Sequence, residues 1–318
     1  MTRVALDELR DVVLRVLRPR FSEADANRIA DVVVFGEMAG RPSHGVLRLL
    51  PGSYGVMDEE DGPSPTVTRI GPSAARVEGK QGMIVASIAT ELAEEMATTS
   101  GFAVVTTRGS RSTSGSLTYF AERLARAGVF SFISAGTPDF VAIPGGDVRV
   151  LGTNPMVFGI PTTEAPFVLD MATSAVSGGD VLTAAANESD LAPGIAVDAS
   201  GEPTTNPLDV LRGGGAVLPF GGHKGLGLAL TVEILNRALT GATGDPGDWG
   251  HAFVVFSLGL LGDEAAARRR AQSEVERLRA AGARIPGHQT LANRDAALER
   301  GWVEIDDEVY RRLVESLV

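Results

Sequence analysis

The chain has 318 residues, of which 44% are hydrophobic and 22% are charged; its formal net charge is −11 and it contains no cysteine. This composition favours a folded protein with one large core or two lobes, and it excludes disulfides, thiolate metal sites and a cysteine nucleophile. The acidic balance argues against a nucleic-acid partner, because nucleic-acid affinity depends on clustered Lys and Arg.

The N-terminal part of the sequence is predicted to be helical. Apolar residues recur at helical spacing from Leu6 to Leu17, and Ser22 with Asp25 begins a second predicted helix. A third helical stretch is predicted broadly from Pro42 to Val56. The opening residues show no basic segment followed by an apolar one, so we expect no export signal and a cytoplasmic protein.

The rest of the chain mixes short strands and helices. The predicted strands are Val67–Ile70, Ala75–Val77, Phe102–Val105, Val129–Ser134, Phe167–Leu169, Val181–Ala186 and Ala252–Ser257. The predicted helices are Met83–Thr98, Ser114–Ala127, Lys224–Leu239, Asp263–Ala280 and Asp306–Leu317. Several strands follow one another through turns alone, which favours a mixed α/β fold over a doubly wound parallel sheet. No apolar stretch is long enough to cross a membrane as a helix.

His44 and Arg48 are the first candidate site residues. On a helix, their spacing of four residues would place both side chains on one face. The guanidinium of Arg48 matches a carboxylate, and an imidazole such as that of His44 exchanges a proton near neutral pH. The pair therefore suits an α-substituted carboxylic acid. The alternative is a helix start in which Ser43 is the cap, His44 is half-buried and Arg48 is solvated.

Two further segments carry candidate chemistry. Asp180 follows a Gly-Gly turn, where a carboxylate can orient a histidine, although an ordinary turn aspartate is the simpler interpretation. Gly221 and Gly222 lead into His223 and Lys224 at a predicted helix start, which favours binding of a phosphate or another anion. A plain helix start is the alternative there. The sequence has no Rossmann or P-loop glycine motif, and its four histidines lie in distant segments, so we expect no metal site.

Several motifs together resemble the malate/L-lactate dehydrogenase-like family of oxidoreductases, which does not use a Rossmann fold. They are Ser43-His44-Gly45-Val46 with Arg48, Gly152-Thr153-Asn154-Pro155, Asp170-Met171-Ala172-Thr173-Ser174, Pro203-Thr204-Thr205 and Gly222-His223-Lys224-Gly225. Ile285-Pro286-Gly287 is similar to a late segment of the family that contacts the cofactor. Gly179-Asp180 and the run from Leu218 to Gly225 are most similar to its Δ1-piperideine-2-carboxylate/Δ1-pyrroline-2-carboxylate reductase branch.

This resemblance implies a mixed α/β architecture. A nicotinamide-binding domain on a largely antiparallel sheet is expected over residues 75–282. A helical substrate and dimerisation lobe, formed by both chain ends, is expected over residues 1–74 and 283–318. The resemblance also implies a homodimer, a small carboxylate substrate, and neither a nucleic-acid nor a membrane partner.

The resemblance also implies roles for individual residues. Ser43, His44 and Asp180 form a proton relay with His44 as the donor, and Arg48, Thr153 and Thr173 border the substrate. The expected cofactor-binding residues are Arg111, Ser112, Thr113, Asp170, Met171, Ala172, His223, Lys224, Pro286, Gly287 and His288. The implied reaction delivers a hydride from NADPH or NADH to C2 of a cyclic 2-imino carboxylate.

One segment departs from the family pattern. Residues 108–115 lack a histidine that relatives carry beside the cofactor, and Arg111 in this segment is expected to bind a phosphate, including a 2′-phosphate. Two alternatives to the reductase therefore stay open. One is a 2-hydroxy-acid dehydrogenase acting on malate or lactate, and the other is a cofactor-binding homologue with a lost or specialised activity. Asp180 favours the reductase.

Overall fold

The computed structural model has a mixed α/β fold and describes residues 1–51, 55–58, 64–146, 149–241 and 248–316. The chain forms two compact units. Unit 1 consists of Met1–Ile133, Val157–Asp170 and Phe253–Val318, and unit 2 consists of Ser134–Met156 and Met171–Ala252. Each unit is therefore assembled from separate stretches of sequence.

Most of the predicted helices and strands are present with shifted ends. The helices are α1 (Leu6–Leu17), α2 (Glu23–Met38), α3 (Gly82–Ser100), α4 (Leu117–Arg126), α5 (Gly178–Ala186), α6 (Pro207–Leu211), α7 (His223–Ile234), α8 (Glu264–Ala280), α9 (His288–Arg300) and α10 (Asp307–Glu315). The strands are β1 (Thr2–Ala5), β2 (Thr66–Gly71), β3 (Ala74–Glu78), β4 (Phe102–Arg108), β5 (Val129–Ala135), β6 (Val141–Ala142), β7 (Arg149–Leu151), β8 (Met156–Ile160), β9 (Phe167–Met171), β10 (Ala196–Val197), β11 (Ala216–Val217), β12 (His251–Ser257) and β13 (Trp302–Ile305). The helices α6 and α9 and the strands β1, β6, β7, β8, β10, β11 and β13 were not predicted from the sequence.

Unit 1 contains most of a seven-stranded sheet with the order β2-β3-β4-β12-β5-β8-β9. β3 pairs antiparallel with β2 and parallel with β4, so the sheet is mixed. The large side chains of Met83, Phe120 and Phe253 are fully buried in its core. The two chain ends meet in a separate antiparallel pair, in which Thr2 of β1 lies opposite Ile305 of β13.

Unit 2 contains a four-stranded sheet with the order β10-β11-β6-β7. The β11–β6 pair is parallel, and the flanking pairs β10–β11 and β6–β7 are antiparallel. A buried cluster includes side chains of β6, β7, β11 and the helices α5, α6 and α7. These helices thus pack with the small sheet and place their first residues at its periphery.

The predicted helix from Pro42 to Val56 is wrong. Pro42–His44 and Val46–Leu49 form short 3-10 turns instead, and residues 52–54 lie outside the described part of the chain. Gly45 lies between the turns with φ −96° and ψ −143°, a conformation that an α-helix does not contain. The argument that a helical face brings His44 and Arg48 together therefore does not apply.

The predicted strand Val181–Ala186 is also wrong, because these residues belong to α5. Ser177 is the N-cap and its hydroxyl accepts a hydrogen bond from the backbone N–H of Asp180. The Asp180 carboxylate accepts hydrogen bonds from the backbone N–H and the hydroxyl of Ser177 at 3.0 and 2.8 Å. This reciprocal capping box starts a helix, and the alanines that follow favour helical structure.

The compact units are divided at residues other than the predicted lobe boundaries. Residues 75–133 and 253–282, which the sequence assigned to the cofactor domain, belong with both chain ends to unit 1. α2 and α3 are joined there by Arg28, which donates from Nε and Nη2 to the Glu91 carboxylate at 3.2 and 3.0 Å. The division of substrate and cofactor roles between lobes stays a prediction. In the described residues, none of the helices has the length and apolar character needed to span a membrane.

Candidate active site

The turn that carries His44 also carries Ser43 and Arg48, all within unit 1. The hydroxyl oxygen of Ser43 lies 3.1 Å from Nδ1 of His44, and Arg48 donates from Nε to the Ser43 carbonyl oxygen at 2.6 Å. Ser43 therefore links the imidazole to the guanidinium. The structure brings the three predicted residues together through hydrogen bonds of the turn and not through a helical face.

Glu37 of α2 lies directly beneath this turn. Its side chain is buried, and Oε1 accepts a hydrogen bond from the backbone N–H of Val46 at 2.7 Å. A Cβ on Gly45 would lie 2.0 Å from Glu37 Oε1, and a Cβ on Gly36 would lie 2.5 Å from the His44 carbonyl oxygen. Both glycines are thus required for α2 to approach the turn. Burial raises the pKa of Glu37 to about 7.

Arg48 is a largely enclosed cation. Burial lowers the pKa of its guanidinium, and the charge of Asp58 opposes this shift. An arginine stays protonated at any physiological pH even so. A desolvated positive charge is stabilised by an anion brought close to it, so the position of Arg48 beside Ser43 and His44 favours a carboxylate ligand.

Asp170, at the end of β9, is joined to the start of α4. Its Oδ2 accepts hydrogen bonds from the backbone N–H and the hydroxyl of Thr118 at 3.0 and 2.7 Å. Burial raises the pKa of the Asp170 carboxyl, and the bonds from Thr118 and the charge of Arg41 act in the opposite direction. Oδ1 makes no hydrogen bond with any described residue of the chain. One carboxylate oxygen is therefore structural, and the other can accept a bond from a ligand.

The predicted cofactor segment Pro286-Gly287-His288 lies against the same strand. Gly287 has a φ of +75° and precedes the first residue of α9. A Cβ at this position would lie 2.3 Å from the carbonyl oxygen of Val168 in β9, two residues before Asp170. The structure thus brings Asp170 and this distant segment together within unit 1, and it leaves His288 exposed.

The segment Arg111-Ser112-Thr113 packs at the start of α3. Ser112 is buried; its hydroxyl donates to Oε1 of Gln81 at 2.8 Å and accepts from the backbone N–H of Gly82 at 3.0 Å. The Thr113 hydroxyl accepts from the N–H of Gly115 at 3.0 Å. These hydroxyls hold the loop, so their contact with a cofactor stays a prediction. Arg111 is exposed beside them.

Thr153 and Thr173 meet within unit 2. The N–H of Thr173 donates to the Thr153 carbonyl oxygen at 2.9 Å, and the Thr173 hydroxyl donates to the carbonyl oxygens of Thr153 and Asn154, each at 3.1 Å. The Thr153 hydroxyl lies 3.2 Å from that of Thr137. Thr173 is fully buried and Thr153 is partly exposed. Thr153 is thus the better placed of the two to contact a substrate.

His223 and Lys224 are the first two residues of α7, as predicted, and both are exposed. Gly221 and Gly222 precede them with φ values of +56° and +65°, and no heavy atom lies within 4 Å of where their Cβ atoms would be. The left-handed backbone requires the glycine pair. The result is an open approach to a helix N-terminus that carries a cation, an arrangement that favours an anion.

Met171 and Ala172 are partly exposed in the segment that connects β9 to Thr173. Asp180 is exposed, and its Oδ2 is engaged with Ser177 in the capping box of α5. The simpler interpretation of Asp180 as a turn residue therefore accounts for its observed contacts. Its participation in a proton relay with His44 stays a prediction.

Sequence reasoning missed three residues that support these groups. Glu37 has a signal in the sequence, since it is a lone acid at the end of the apolar run Val32–Phe35. Thr118 and Thr137 have none, because their partners Asp170 and Thr153 are 52 and 16 residues away. Only the tertiary structure shows what these hydroxyls contact.

Comparison with known proteins connects this geometry to a family. The model of the malate/L-lactate dehydrogenase family matches residues 4–314. A Δ1-pyrroline-2-carboxylate/Δ1-piperideine-2-carboxylate reductase from Pseudomonas putida is 34% identical over 100% of this chain and 97% of that protein. A malate dehydrogenase from Pyrococcus horikoshii is 36% identical over 76% of this chain and 70% of that protein. The crystal structure of a Δ1-piperideine-2-carboxylate reductase from Pseudomonas syringae has a TM-score of 0.87 and 29% identity, and the match covers 99% of this chain and 100% of that one.

Replacing Glu37 by Gln should change how stability depends on pH. Gln keeps an acceptor for the Val46 N–H but does not ionise. The wild-type carboxyl has a pKa of about 7 in the folded state, above its ordinary value of 4.5. Protonation thus favours the folded state, and this stabilisation is lost as pH rises from about 4.5 to about 7. Relative to Glu37→Gln, the wild type should lose up to about 3 kcal/mol over this window.

Urea unfolding of both proteins between pH 4 and pH 8 measures this difference. The exposed substitution Glu299→Gln controls for the loss of one carboxyl group. Wild-type and Glu37→Gln stability curves that stay parallel across the window would contradict the assigned titration of Glu37.

Proposed function

The chain belongs to the malate/L-lactate dehydrogenase family and is an oxidoreductase, and within that family we propose that it reduces a small cyclic 2-imino carboxylate with a nicotinamide cofactor. The substrate class is that of Δ1-pyrroline-2-carboxylate and Δ1-piperideine-2-carboxylate. The full-length similarity to the Pseudomonas putida reductase supports this choice.

The arrangement of Ser43, His44 and Arg48 carries the proposal. A cation that favours a carboxylate and an imidazole that exchanges protons are linked through one serine, at 2.6 and 3.1 Å. A 2-imino carboxylate carries its carboxylate and its imine nitrogen on the same carbon, C2. The turn therefore offers a cation for the substrate carboxylate and a proton donor for the imine nitrogen.

The described residues fit a nicotinamide cofactor, which supplies a hydride when bound. Asp170 offers Oδ1 as an acceptor for a hydroxyl, and Gly287 lies against the same strand. His223 and Lys224 offer a helix N-terminus and a positive charge to a phosphate, next to the open space at Gly221 and Gly222. The remaining proposed cofactor residues are Arg111, Ser112, Thr113, Met171, Ala172, Pro286 and His288.

In the proposed reaction, Arg48 holds the substrate carboxylate and Thr153 borders the substrate. The hydride forms a C–H bond at C2, and the electron pair of the C=N bond moves to nitrogen. His44 gives that nitrogen a proton, so the product is the cyclic amino acid; His44 then regains a proton from solvent. Ser43 stabilises the imidazole at Nδ1, and Asp180 is proposed to take part in this relay. General acid catalysis of this kind contributes on the order of 10²–10⁴ in rate.

A 2-hydroxy-acid dehydrogenase is the second candidate function. The malate dehydrogenase of Pyrococcus horikoshii shares 36% identity with this chain over the matched region, which supports it. The same residues would serve this reaction, with the His44 proton exchanged with a substrate oxygen instead of a nitrogen. A specialised or lost activity is the third candidate, and the departure at residues 108–115 motivates it.

We further propose a cytoplasmic homodimer. Leu230 and Ile234 lie one turn apart on α7 and are 40% and 59% exposed, so one face of the helix presents apolar side chains to the surroundings of the chain. Exposed apolar groups that lie close together mark interaction surfaces. A second copy that covers α7 would remove them from water.

Purified protein should oxidise NADPH or NADH in the presence of Δ1-pyrroline-2-carboxylate or Δ1-piperideine-2-carboxylate. His44→Ala should lower kcat by about 10²-fold or more, because the proton donor is lost. Absorbance loss of the reduced cofactor measures turnover, with pyruvate and oxaloacetate tested in parallel.

Turnover with the oxo acids alone would reject the imine-reductase proposal in favour of the dehydrogenase. Cofactor binding without turnover of any of the four compounds would favour the third candidate. Gln289→Ala is the control, because Gln289 is exposed and lies next to His288 but is not a proposed cofactor residue.

We propose NADPH as the preferred cofactor, with Arg111 facing its 2′-phosphate. Arg111→Ala should then raise the KM for NADPH about tenfold, the effect of losing one hydrogen bond to a charged group, and leave the KM for NADH unchanged. Initial rates at varied cofactor concentration provide the measurement, and the exposed Arg270→Ala is the matched control. Equal effects on both cofactors would show that Arg111 does not read the 2′-phosphate.

Sedimentation velocity should give a mass twice that of the 33.2 kDa chain. Ile234→Glu should shift the protein toward the monomer, because the charge would be buried in the proposed interface. Leu278→Glu, at a 38% exposed leucine of α8, should leave the mass unchanged. A monomeric wild type, or a dimer insensitive to Ile234→Glu, would refute this interface.

A further inference from the structure

Asn154, between the two predicted substrate threonines and α7, has an unusual backbone. Its φ is +40°, and among the described residues the only other non-glycine with a positive φ is Glu188. Asparagine tolerates this left-handed conformation better than most residues do. The residue is also completely buried; its Nδ2 finds partners inside unit 2, whereas its Oδ1 has no hydrogen-bond partner among the described residues.

Those partners lie on α7. Asn154 donates from Nδ2 to Oε2 of Glu233 at 2.6 Å and to the carbonyl oxygen of Ala229 at 3.3 Å. The backbone of Asn154 contacts the candidate site on its other side, since its carbonyl oxygen accepts from the Thr173 hydroxyl at 3.1 Å and its N–H donates to the Thr137 hydroxyl at 3.3 Å. Asn154 therefore connects α7 to the turn formed by residues 152–155, which we call the substrate turn.

Glu233 is itself held in place. Its side chain is 13% exposed and pairs with Nε of Arg237 at 2.5 Å, one helical turn further along the chain. Arg237 in turn donates from Nη2 to Oδ1 of Asp139 at 2.8 Å. The carboxyl group that accepts from the Asn154 amide is thus held between α7 and Arg237, and a charge-assisted hydrogen bond is stronger than one between neutral groups.

The turn is packed so closely around Asn154 that only glycine fits at position 152. At Gly152, a Cβ would lie 2.5 Å from Oδ1 of Asn154 and 2.3 Å from the Thr137 hydroxyl. Pro155 follows Asn154 directly and restricts its backbone further. Movement of the Asn154 side chain would therefore be transmitted to Thr153 and to its contact with Thr173.

From these contacts we infer that Asn154 and Glu233 are a positioning pair that holds Thr153 and Thr173 at a fixed distance from α7. The inference rests on the proposed function for what the held groups do, namely that Thr153 borders the substrate and that His223 begins the helix at the cofactor. Glu233 lies ten residues after His223, about 15 Å along a rigid helix. The pair therefore connects the substrate turn to α7, whose first residue His223 is a proposed cofactor residue. Neither Asn154 nor Glu233 is proposed to contact the substrate or the cofactor.

The test exchanges the chemistry of the pair. Asn154→Asp keeps a residue type that tolerates the left-handed backbone but places two carboxylates against each other. Glu233→Gln keeps an acceptor for the Asn154 amide. In the double variant, the amide introduced on α7 can donate to the carboxylate introduced in the turn, which restores the hydrogen bond in the opposite direction. The exposed substitution Asn187→Asp is the matched control within unit 2.

Two measurements are made on each full-length protein. Steady-state rates give KM and kcat for the imino carboxylate, and amide hydrogen exchange reports the Thr173 N–H that donates to Thr153. Asn154→Asp should raise KM roughly tenfold and accelerate this exchange, as expected when one strong hydrogen bond is lost. Glu233→Gln should raise KM less than Asn154→Asp does, because a neutral acceptor for the Asn154 amide remains; Asn187→Asp should resemble the wild type, and the double variant should recover both values to within about threefold.

The proposal is overturned if Asn154→Asp leaves KM and exchange unchanged, or if the double variant is no closer to the wild type than the single one. A wild type that turns over neither imines nor oxo acids would remove the proposed function instead. The exchange measurement would then still decide the pair, because acceleration in Asn154→Asp and recovery in the double variant do not depend on turnover.

Discussion

The buried hydrogen bond from the Val46 N–H to the Glu37 carboxyl is the constraint on which the candidate proton-transfer site depends. It fastens an irregular turn to the rigid helix α2, and it exists only because Gly45 has no Cβ to displace the carboxyl. The turn has only short-range backbone hydrogen bonds of its own, such as His44 N–H to the Arg41 carbonyl oxygen at 2.8 Å, and the Glu37 carboxyl connects it to α2 at Val46. Burying an acid is costly, and the raised pKa of Glu37 expresses that cost.

Unit 2 solves the same problem with different chemistry. There a buried amide, Asn154, connects the turn beside Thr153 to the helix α7, and the carboxyl group of Glu233 accepts its hydrogen bond. In both units a predicted site residue lies in backbone without regular secondary structure, and a buried polar contact joins that backbone to a helix. Irregular backbone can aim a side chain in directions that helices and strands do not offer, provided that a buried polar contact fixes it.

Most of the helices could be predicted from periodicity, because α1, α3 and α8 carry long apolar or capped patterns. The errors fell where a short pattern has two interpretations. An apolar run such as Val181–Ala186 is compatible with a strand or a helix. The capping box of Ser177 and Asp180 starts a helix there. In the stretch after Pro42, Gly45 interrupted a helical spacing that the side chains alone suggested.

The candidate site shows the same limit. His44 and Arg48 could be paired from the sequence because they are near neighbours, although the physical link through Ser43 is not the one that spacing suggests. The contacts of Thr118 with Asp170 and of Asn154 with Glu233 join residues 52 and 79 positions apart. No local pattern encodes such contacts, so only the folded chain shows them.

The interleaved order of the two units has a consequence for biosynthesis. Unit 2 ends at Ala252, whereas unit 1 needs Phe253–Val318, including the β13 strand that pairs with β1. During translation, unit 2 begins after unit 1, but its sequence is complete first. β1 can pair with β13 only after residues 302–305 have been made, so unit 1 gains this strand pair after the sequence of unit 2 is complete.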